Sequence, residues 1–167
     1  DILMNNGIAT PFWNMDTFWQ YMRARMKGGR GHLIDYFKRN PRCSFNVRDA
    51  LRFDPESFSH LEYYNQTPLE FIAADGKKRY AKFRLIPEKP VIPPDGIPPK
   101  EELETPWFQE AVSHETRNRN YLKEEYRERL RKKDVRYKFQ IQLLEWDELY
   151  DRTIELNSLY PWNEKDH

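Results

Sequence analysis

Apolar and polar residues alternate most regularly in two stretches of this chain, and both stretches predict β-strands. The first runs Tyr80–Leu85, where every second residue is apolar, and the second shows the same alternation from Val135 to Leu143. A period of two places successive side chains on opposite faces of a strand. Each stretch therefore predicts a strand with one apolar and one polar face, and we expect the apolar face to be buried.

Residues 57–87 predict the centre of a sheet. They contain three strand-like runs, and the last two are joined across Asp75-Gly76. Gly accepts the positive φ that a type I′ hairpin turn requires, so Asp-Gly between apolar runs is a strong hairpin signal. Pro87 ends the third run, because a proline has no N–H to donate to a ladder.

Apolar residues spaced by three or four positions predict helices on both sides of this sheet. One begins at Asn14 or Asp16 as N-cap and ends before Gly28-Gly29, and a second covers 32–40. Two more are predicted at 101–112 and 118–133, with the second of these carrying an attractive Glu125–Arg129 pair. The prolines of 87–100 predict an extended connector, and the tail from Trp146 predicts short turns.

Composition favours a single folded domain over residues 1–167. The chain carries 5 Trp, 10 Tyr and 10 Phe, and this aromatic content argues against disorder although 33% of the residues are charged. A net charge of +1 gives no argument for a nucleic-acid or membrane-surface partner. No apolar run reaches the roughly 18 residues that a membrane helix needs. The fold class indicated is α+β.

The residues that carry most enzyme chemistry do not cluster in this sequence. The four histidines, His32, His60, His114 and His167, show no metal-ligand spacing with one another or with Cys43. Cys43 is the only cysteine, and we interpret it as a small buried residue, with a reactive thiol as the alternative. Ser113-His114-Glu115 is a tripeptide whose members rarely converge on one reaction centre. We assign no catalytic residue and no metal ligand.

Several segments resemble the catalase-like superfamily, and above all the haem domain of coral-type allene oxide synthases that are fused to lipoxygenases. The most specific is SFSHLEYYNQTPLEFIAADGKKRYAKFRLIP at 57–87; DILMNN at 1–6, HETRNRNYL at 114–122 and RYKFQIQLLEW at 136–146 agree in order. Residues 151–162 resemble the connection that follows, although Tyr160-Pro161-Trp162 departs in detail. The resemblance implies an antiparallel catalase-like β-barrel core with flanking helices.

The same resemblance implies where haem-contacting residues would fall. Asn5 matches the distal Asn of the family, and Trp19 lies near the position of a residue over the haem plane. The distal His precedes the Asn in the family and the proximal Tyr follows the last segment, so we expect neither in this chain and expect it to be truncated relative to the family. His60 is no substitute. Haem is expected only if other segments complete the site, because the iron needs an axial ligand.

We therefore predict a barrel without haem catalysis that binds an apolar ligand, either a carotenoid or other polyene or a fatty-acid-derived molecule. Two alternatives stay open: a fragment or subunit of a haem-dependent allene oxide synthase, and a structural domain without a ligand. The predicted ligand-binding residues are Phe12, Trp13, Phe18, Phe71, Phe83, Tyr137 and Phe139. We also expect homo- or hetero-oligomerisation through Trp107, Phe108 or the tail 146–162.

Overall fold

The computed structural model describes residues 2–28, 30–44, 55–92, 116–146 and 151–162. Within these ranges the fold is a mixture of helices and an antiparallel sheet, as the α+β prediction expects. Helix α1 spans Met15–Met26, α2 spans Arg30–Arg39 and α3 spans Tyr121–Lys132. The strands are β1 (Tyr63–Tyr64), β2 (Leu69–Ile72), β3 (Lys78–Pro87) and β4 (Tyr137–Glu145).

Strand β3 organises the sheet because it pairs with the other three strands. It pairs antiparallel with β4 from Arg79 to Pro87, and with β1 and β2 on its other edge. Asn65 lies between β1 and β2, and its backbone N–H donates to the Phe83 carbonyl (3.1 Å) while its side-chain oxygen accepts from Phe83 N–H. The four described strands form an open sheet, so the predicted closed barrel is not supported.

The hairpin between β2 and β3 forms where the sequence predicts it, but with a shifted turn. Gly76 N–H donates to the Ala73 carbonyl (2.9 Å), so the central residues of the turn are Ala74 and Asp75 rather than Asp75 and Gly76. Gly76 follows with φ of +72°, the backbone conformation that made glycine necessary here. Asp75 stabilises the loop by accepting from Lys77 N–H and pairing with Arg79.

Helices α1 and α2 form the main buried core together with the tail 151–162. The buried members are Ala24, Tyr36, Phe37, Cys43 and Leu159. Helix α1 begins at a capping box in which Asn14 Oδ1 accepts from Thr17 N–H (3.0 Å) and the Thr17 hydroxyl accepts from Asn14 N–H (2.9 Å). Cys43 is buried and free, in agreement with the prediction of a small buried residue.

Two further packing relationships hold the ends of the described chain. The side chain of Gln66 donates to the carbonyls of Gly7 (3.2 Å) and Ala9 (2.7 Å), which fixes the N-terminal segment against the sheet. Thr10 N–H donates to the Ser158 carbonyl (3.0 Å), which joins that segment to the tail. None of the helices in the described ranges combines the length and hydropathy of a membrane-spanning segment.

Some predictions fall outside the described residues. These are the helix at 101–112 with Trp107 and Phe108, residues 113–115, His167 and most of the proline-rich connector.

The predicted helix 118–133 is confirmed in its central part, and its Glu125–Arg129 pair forms at 2.5 Å. Trp19 and Met26 of α1, which follow the helical spacing of apolar residues, are 54% and 81% exposed. Helical spacing aligned them with the apolar stripe, but no described element packs over that part of the helix.

Candidate functional site

The sheet register places ten apolar and aromatic side chains on one face, which we call the apolar face, and Arg79 and Glu145 share one end of it. The ten are Tyr63, Leu69, Phe71, Ala81, Phe83, Leu85, Tyr137, Phe139, Ile141 and Leu143. The assignment follows from the pairs Tyr63–Leu85, Leu69–Ala81 and Phe83–Ile141, because directly paired residues share a face. The opposite face, which we call the polar face, carries Lys82, Arg84, Gln140 and Gln142 together with Tyr64, Tyr80, Ile86 and Leu144.

The apolar face is covered at one end and open over the rest. At the covered end the phenols of Tyr63 and Tyr137 both donate to the Phe58 carbonyl, at 2.7 and 3.1 Å. The Phe58 ring also contacts Tyr126 of α3, with centroids 6.1 Å apart. Over the rest of the face, Phe71, Phe139 and Ile141 are 44%, 48% and 53% exposed. The sequence-based expectation that the apolar face is buried is wrong for this part of the sheet.

Four of the predicted ligand-binding residues share the apolar face. Phe83 of β3 and Phe139 of β4 stack with ring centroids 5.4 Å apart and planes 18° from parallel. Tyr137 contacts Tyr63 edge-on at the covered end, and Phe71 lies on the edge strand β2. The structure thus brings these four residues onto one surface, although the surface is a sheet face and not the interior of a barrel.

The other predicted residues lie near the start of α1. Phe12 packs edge-on against Phe18 (5.0 Å), and Phe18 contacts Trp19 (5.4 Å). Trp13 turns towards the tail and contacts Tyr160 (5.8 Å). No ring contact among the described residues joins this group to the four on the apolar face. Asn5 is exposed, and its backbone pairs with Tyr64 at the edge of the sheet.

The sequence did not predict a cavity of about 500 Å³ on the polar face. Its lining includes Lys82, Arg84, Gln140 and Gln142 of the strands, and Ile8, Pro161 and Trp162 from outside the sheet. The neighbouring strand residues Phe83, Ile141 and Leu143 also contribute to the lining. Lys82 is 8% exposed, and its ammonium donates to the Tyr160 carbonyl (2.7 Å) and lies 5.2 Å from the centre of the Trp162 ring. Burial lowers the pKa of Lys82 to about 8.

One signal for this cavity was present in the sequence, and another was lacking. Alternation correctly placed Lys82 on the polar face, where a lysine normally points into water. The residues that cover it, Tyr160 and Trp162, lie almost eighty positions further along the chain. Strand periodicity cannot report such a distant packing partner.

The phenols at the covered end of the apolar face remain protonated near neutral pH. Burial raises the pKa of Tyr63 to about 12. Burial, followed by the nearby phenols of Tyr63 and Tyr126, also raises the pKa of Tyr137. A neutral phenol is a hydrogen-bond donor, which is the role that both residues have towards Phe58.

His32 lies on α2, and His60 lies in the 3-10 turn Phe58–His60. No group of three potential metal ligands occurs in the described part of the chain.

Comparison with solved structures defines the class of fold. The chain superposes on a bacterial catalase with a TM-score of 0.69 at 15% sequence identity, covering 98% of this chain and 31% of the catalase. The fold is therefore catalase-like. No family model matches the sequence.

Comparison with curated proteins adds sequence relatives. The chain is 36% identical over 148 residues to the allene oxide synthase-lipoxygenase protein of the coral Plexaura homomalla, and the match covers 87% of this chain. It is 29% identical over 124 residues, 71% of its length, to the linolenate 9R-lipoxygenase of a Nostoc species. The chain is a catalase-like relative of the coral protein, which confirms the resemblance seen in the sequence. It spans 14% and 16% of the lengths of these two relatives.

Proposed function

We propose that this chain is the part of a catalase-like protein that holds a fatty-acid-derived ligand against the apolar face of its sheet. The observation that carries the proposal is the exposure of that face around Phe71, Phe139 and Ile141. Contiguous exposed apolar surface is uncommon in folded proteins and usually marks a binding surface. Phe83 and Phe139 offer a flat, rigid contact for an extended hydrocarbon chain.

The relatives support the choice of ligand. The Nostoc protein is named for linolenate, a polyunsaturated fatty acid, and the coral protein is named as an allene oxide synthase and lipoxygenase. A carotenoid or other polyene has a similar extended apolar shape, so it competes with a fatty-acid-derived molecule for the same surface.

A fluorescence titration with cis-parinaric acid, a polyene fatty acid, tests the proposal. Phe139→Ser should weaken binding by about tenfold, because it replaces one ring contact worth roughly 1.4 kcal/mol. Leu130→Ser is the matched control, since Leu130 is 52% exposed on α3 and does not lie on the sheet. Near-UV circular dichroism checks that both variants keep their tertiary packing.

The outcomes of this titration distinguish the hypotheses about the function of the chain. Saturable binding that Phe139→Ser weakens and Leu130→Ser leaves unchanged supports the proposal. Equal loss in both variants, or unchanged binding in both, contradicts the placement on the apolar face. No binding of the probe by the wild-type chain contradicts ligand binding and favours a structural domain. Trp19→Ala tests the predicted second group of aromatic residues in the same way.

The alternative of a haem-dependent allene oxide synthase rests on the coral relative. A haem site of the kind that the resemblance implies needs a tyrosinate below the iron and a histidine above it. The tyrosines of the covered end, Tyr63 and Tyr137, are held neutral and directed at Phe58, so they do not fit the role of a phenolate ligand. Asn5, whose Oδ1 accepts from Gly7 N–H (2.7 Å), supplies no axial ligand.

The described residues therefore do not fit a complete haem site, and no step of a haem reaction is assigned to them. An absorption titration with haemin distinguishes this alternative. A sharp Soret band that shifts with cyanide would favour a haem-binding chain over the proposed function. A broad Soret band that cyanide does not shift, together with saturable binding of the polyene probe, supports the proposed function.

A further inference from the structure

We propose that the cavity on the polar face is a reaction site, in which the amine of Lys82 forms an imine with an aldehyde that carries an apolar body. The cavity measures about 500 Å³, within the range of roughly 300–1,000 Å³ that small-molecule sites occupy. Lys82 belongs to its lining and is only 8% exposed. A lysine buried in this way differs from a surface lysine in its protonation and in the molecules that can reach it.

Two contacts with the tail hold the amine of Lys82 in place. Its Nζ donates to the Tyr160 carbonyl (2.7 Å) and lies 5.2 Å from the centre of the Trp162 ring. The indole N–H of Trp162 in turn donates to the Glu155 carbonyl (2.6 Å), which fixes the ring. A neutral amine has two N–H groups and one lone pair. Donation of one N–H to Tyr160 therefore leaves the lone pair for a new bond.

Burial also supplies the reactive form of the amine. It lowers the pKa of Lys82 to about 8, because the ammonium loses hydration that the neutral amine needs less. At pH 7 about one-tenth of such amines are neutral, against about one in three thousand at the ordinary lysine pKa. Desolvated lysines in apolar pockets are the ones that form Schiff bases with carbonyl compounds.

The reaction balances without an oxidant or a reductant. The lone pair of the Lys82 amine forms an N–C bond to the aldehyde carbon, while the π electrons of the carbonyl move to its oxygen. One amine proton passes to that oxygen and gives a carbinolamine. The C–O bond then breaks, the oxygen leaves as water with the second amine proton, and a C=N bond remains. Protonation by water gives an N–H that the Tyr160 carbonyl is positioned to accept.

The part of the lining that comes from outside the sheet indicates the class of aldehyde. Ile8, Pro161 and Trp162 contribute apolar surface to the cavity. An aldehyde with a ring or a short hydrocarbon body would cover that surface, whereas formaldehyde would leave it in contact with water. The substrate class is thus an aldehyde with a compact apolar body.

Lys78 provides a matched comparison in the same strand. It lies four residues before Lys82, on the same face of β3, and its Nζ lies 4.4 Å from the centre of the Trp146 ring. Its side chain is 37% exposed and pairs with Glu70 (2.7 Å), and this hydrogen bond raises the pKa of Lys78. Lys78 therefore shares the strand and a neighbouring indole with Lys82 and differs in its burial and protonation.

Reductive labelling of the folded 167-residue chain with 3-phenylpropanal and cyanoborohydride tests the proposal, because the reductant converts an imine into a stable secondary amine. Peptide mapping by mass spectrometry measures the rate at each lysine and at the α-amino group. We expect Lys82 to be labelled at least tenfold faster than Lys78 at neutral pH, with a rate that saturates as the aldehyde concentration rises. Formaldehyde should reduce this advantage, and guanidinium chloride should abolish it.

Several outcomes overturn the proposal, and the first three need no variant. Equal rates at the two lysines of the folded chain, or faster labelling of Lys78, contradict a reactive amine at Lys82. A rate at Lys82 that never saturates, or an equal advantage with formaldehyde, contradicts a site for an apolar aldehyde. An advantage that persists in guanidinium chloride would arise from local sequence and not from the cavity. Lys82→Met should remove the rapidly formed adduct and Lys78→Met should keep it; the reverse result overturns the assignment to Lys82.

Discussion

Phe83 and Phe139 stack almost in parallel across β3 and β4, with centroids 5.4 Å apart, on the open face of the sheet. They are diagonal neighbours, because Phe83 is paired with Ile141 and Phe139 with Leu85. Their contact connects the two strands that show the clearest alternation in the sequence. It also gives the apolar face a rigid aromatic surface at the point where no described element covers it.

The stacked pair should show a measurable coupling energy. A double-mutant cycle with Phe83→Leu and Phe139→Leu is expected to give about 0.5–1.5 kcal/mol, the usual value of an aromatic pair beyond its buried area. Urea unfolding of the four proteins measures the cycle. A coupling energy indistinguishable from zero would mean that the two rings do not contact each other in solution.

The Asp75–Arg79 pair should make the hairpin sensitive to acid. The hydrogen bond from Arg79 lowers the pKa of Asp75 to about 2, below its value of about 3.9 in an unfolded chain. The stabilising effect is therefore fully present above pH 4 and is lost as the pH falls towards 2. Wild type should be more stable than Asp75→Asn at pH 6, and the difference should shrink between pH 4 and 2. A difference that does not change over this interval contradicts the assignment.

Lys82 should make the free energy of unfolding depend on pH in the alkaline range. Its folded-state pKa of about 8 lies below the unfolded value of about 10.5, so the unfolded chain binds more protons between these values. The cost of burying the charge is present below pH 8 and disappears as the pH rises to 10.5. Wild type should therefore gain stability over this interval relative to Lys82→Met, by up to about 3 kcal/mol. Thermal unfolding midpoints at pH 7, 8, 9 and 10 measure it, and parallel curves for the two proteins would contradict the burial of the amine.

Tyr36 should be the most sensitive position of the helical core. Its side chain is fully buried between α1 and α2, and its hydroxyl donates to the Pro11 carbonyl (2.7 Å). Tyr36→Ala is expected to cost about 3–5 kcal/mol through the cavity that it leaves. Tyr36→Phe keeps the ring and should cost only about 1–2 kcal/mol, for the lost hydrogen bond. Equal costs in urea unfolding would show that the hydroxyl, and not the packing of the ring, holds this core.

Local structure followed closely from the sequence. Alternation identified β3 and β4, helical spacing with a capping residue identified α1, and Asp75-Gly76 identified the hairpin. These features depend on residues that are near one another in the chain. The shift of the turn to Ala74 and Asp75 shows the limit even there, because Gly76 serves after the turn rather than within it.

The environment of each sheet face did not follow from the sequence. Alternation states which side chains share a face, and it cannot state what packs over that face. The tail places Tyr160 and Trp162 over Lys82 on the polar face, while Phe139 and Ile141 on the apolar face remain exposed. Alternation therefore grouped four predicted ligand-binding residues on one surface. It could not predict the cavity beside Lys82, because that cavity depends on the packing of the tail.

The location of the ligand is the central claim, and photo-crosslinking tests it most directly. A fatty acid with a diazirine at the end of its hydrocarbon chain is bound, irradiated and mapped by mass spectrometry of the digested protein. We predict labels at Phe71 and Phe139, apolar-face positions that do not line the cavity of the polar face, with competition by unlabelled fatty acid. Competed labels confined to Trp162 and the cavity of the polar face, or the absence of any competed label, would contradict it.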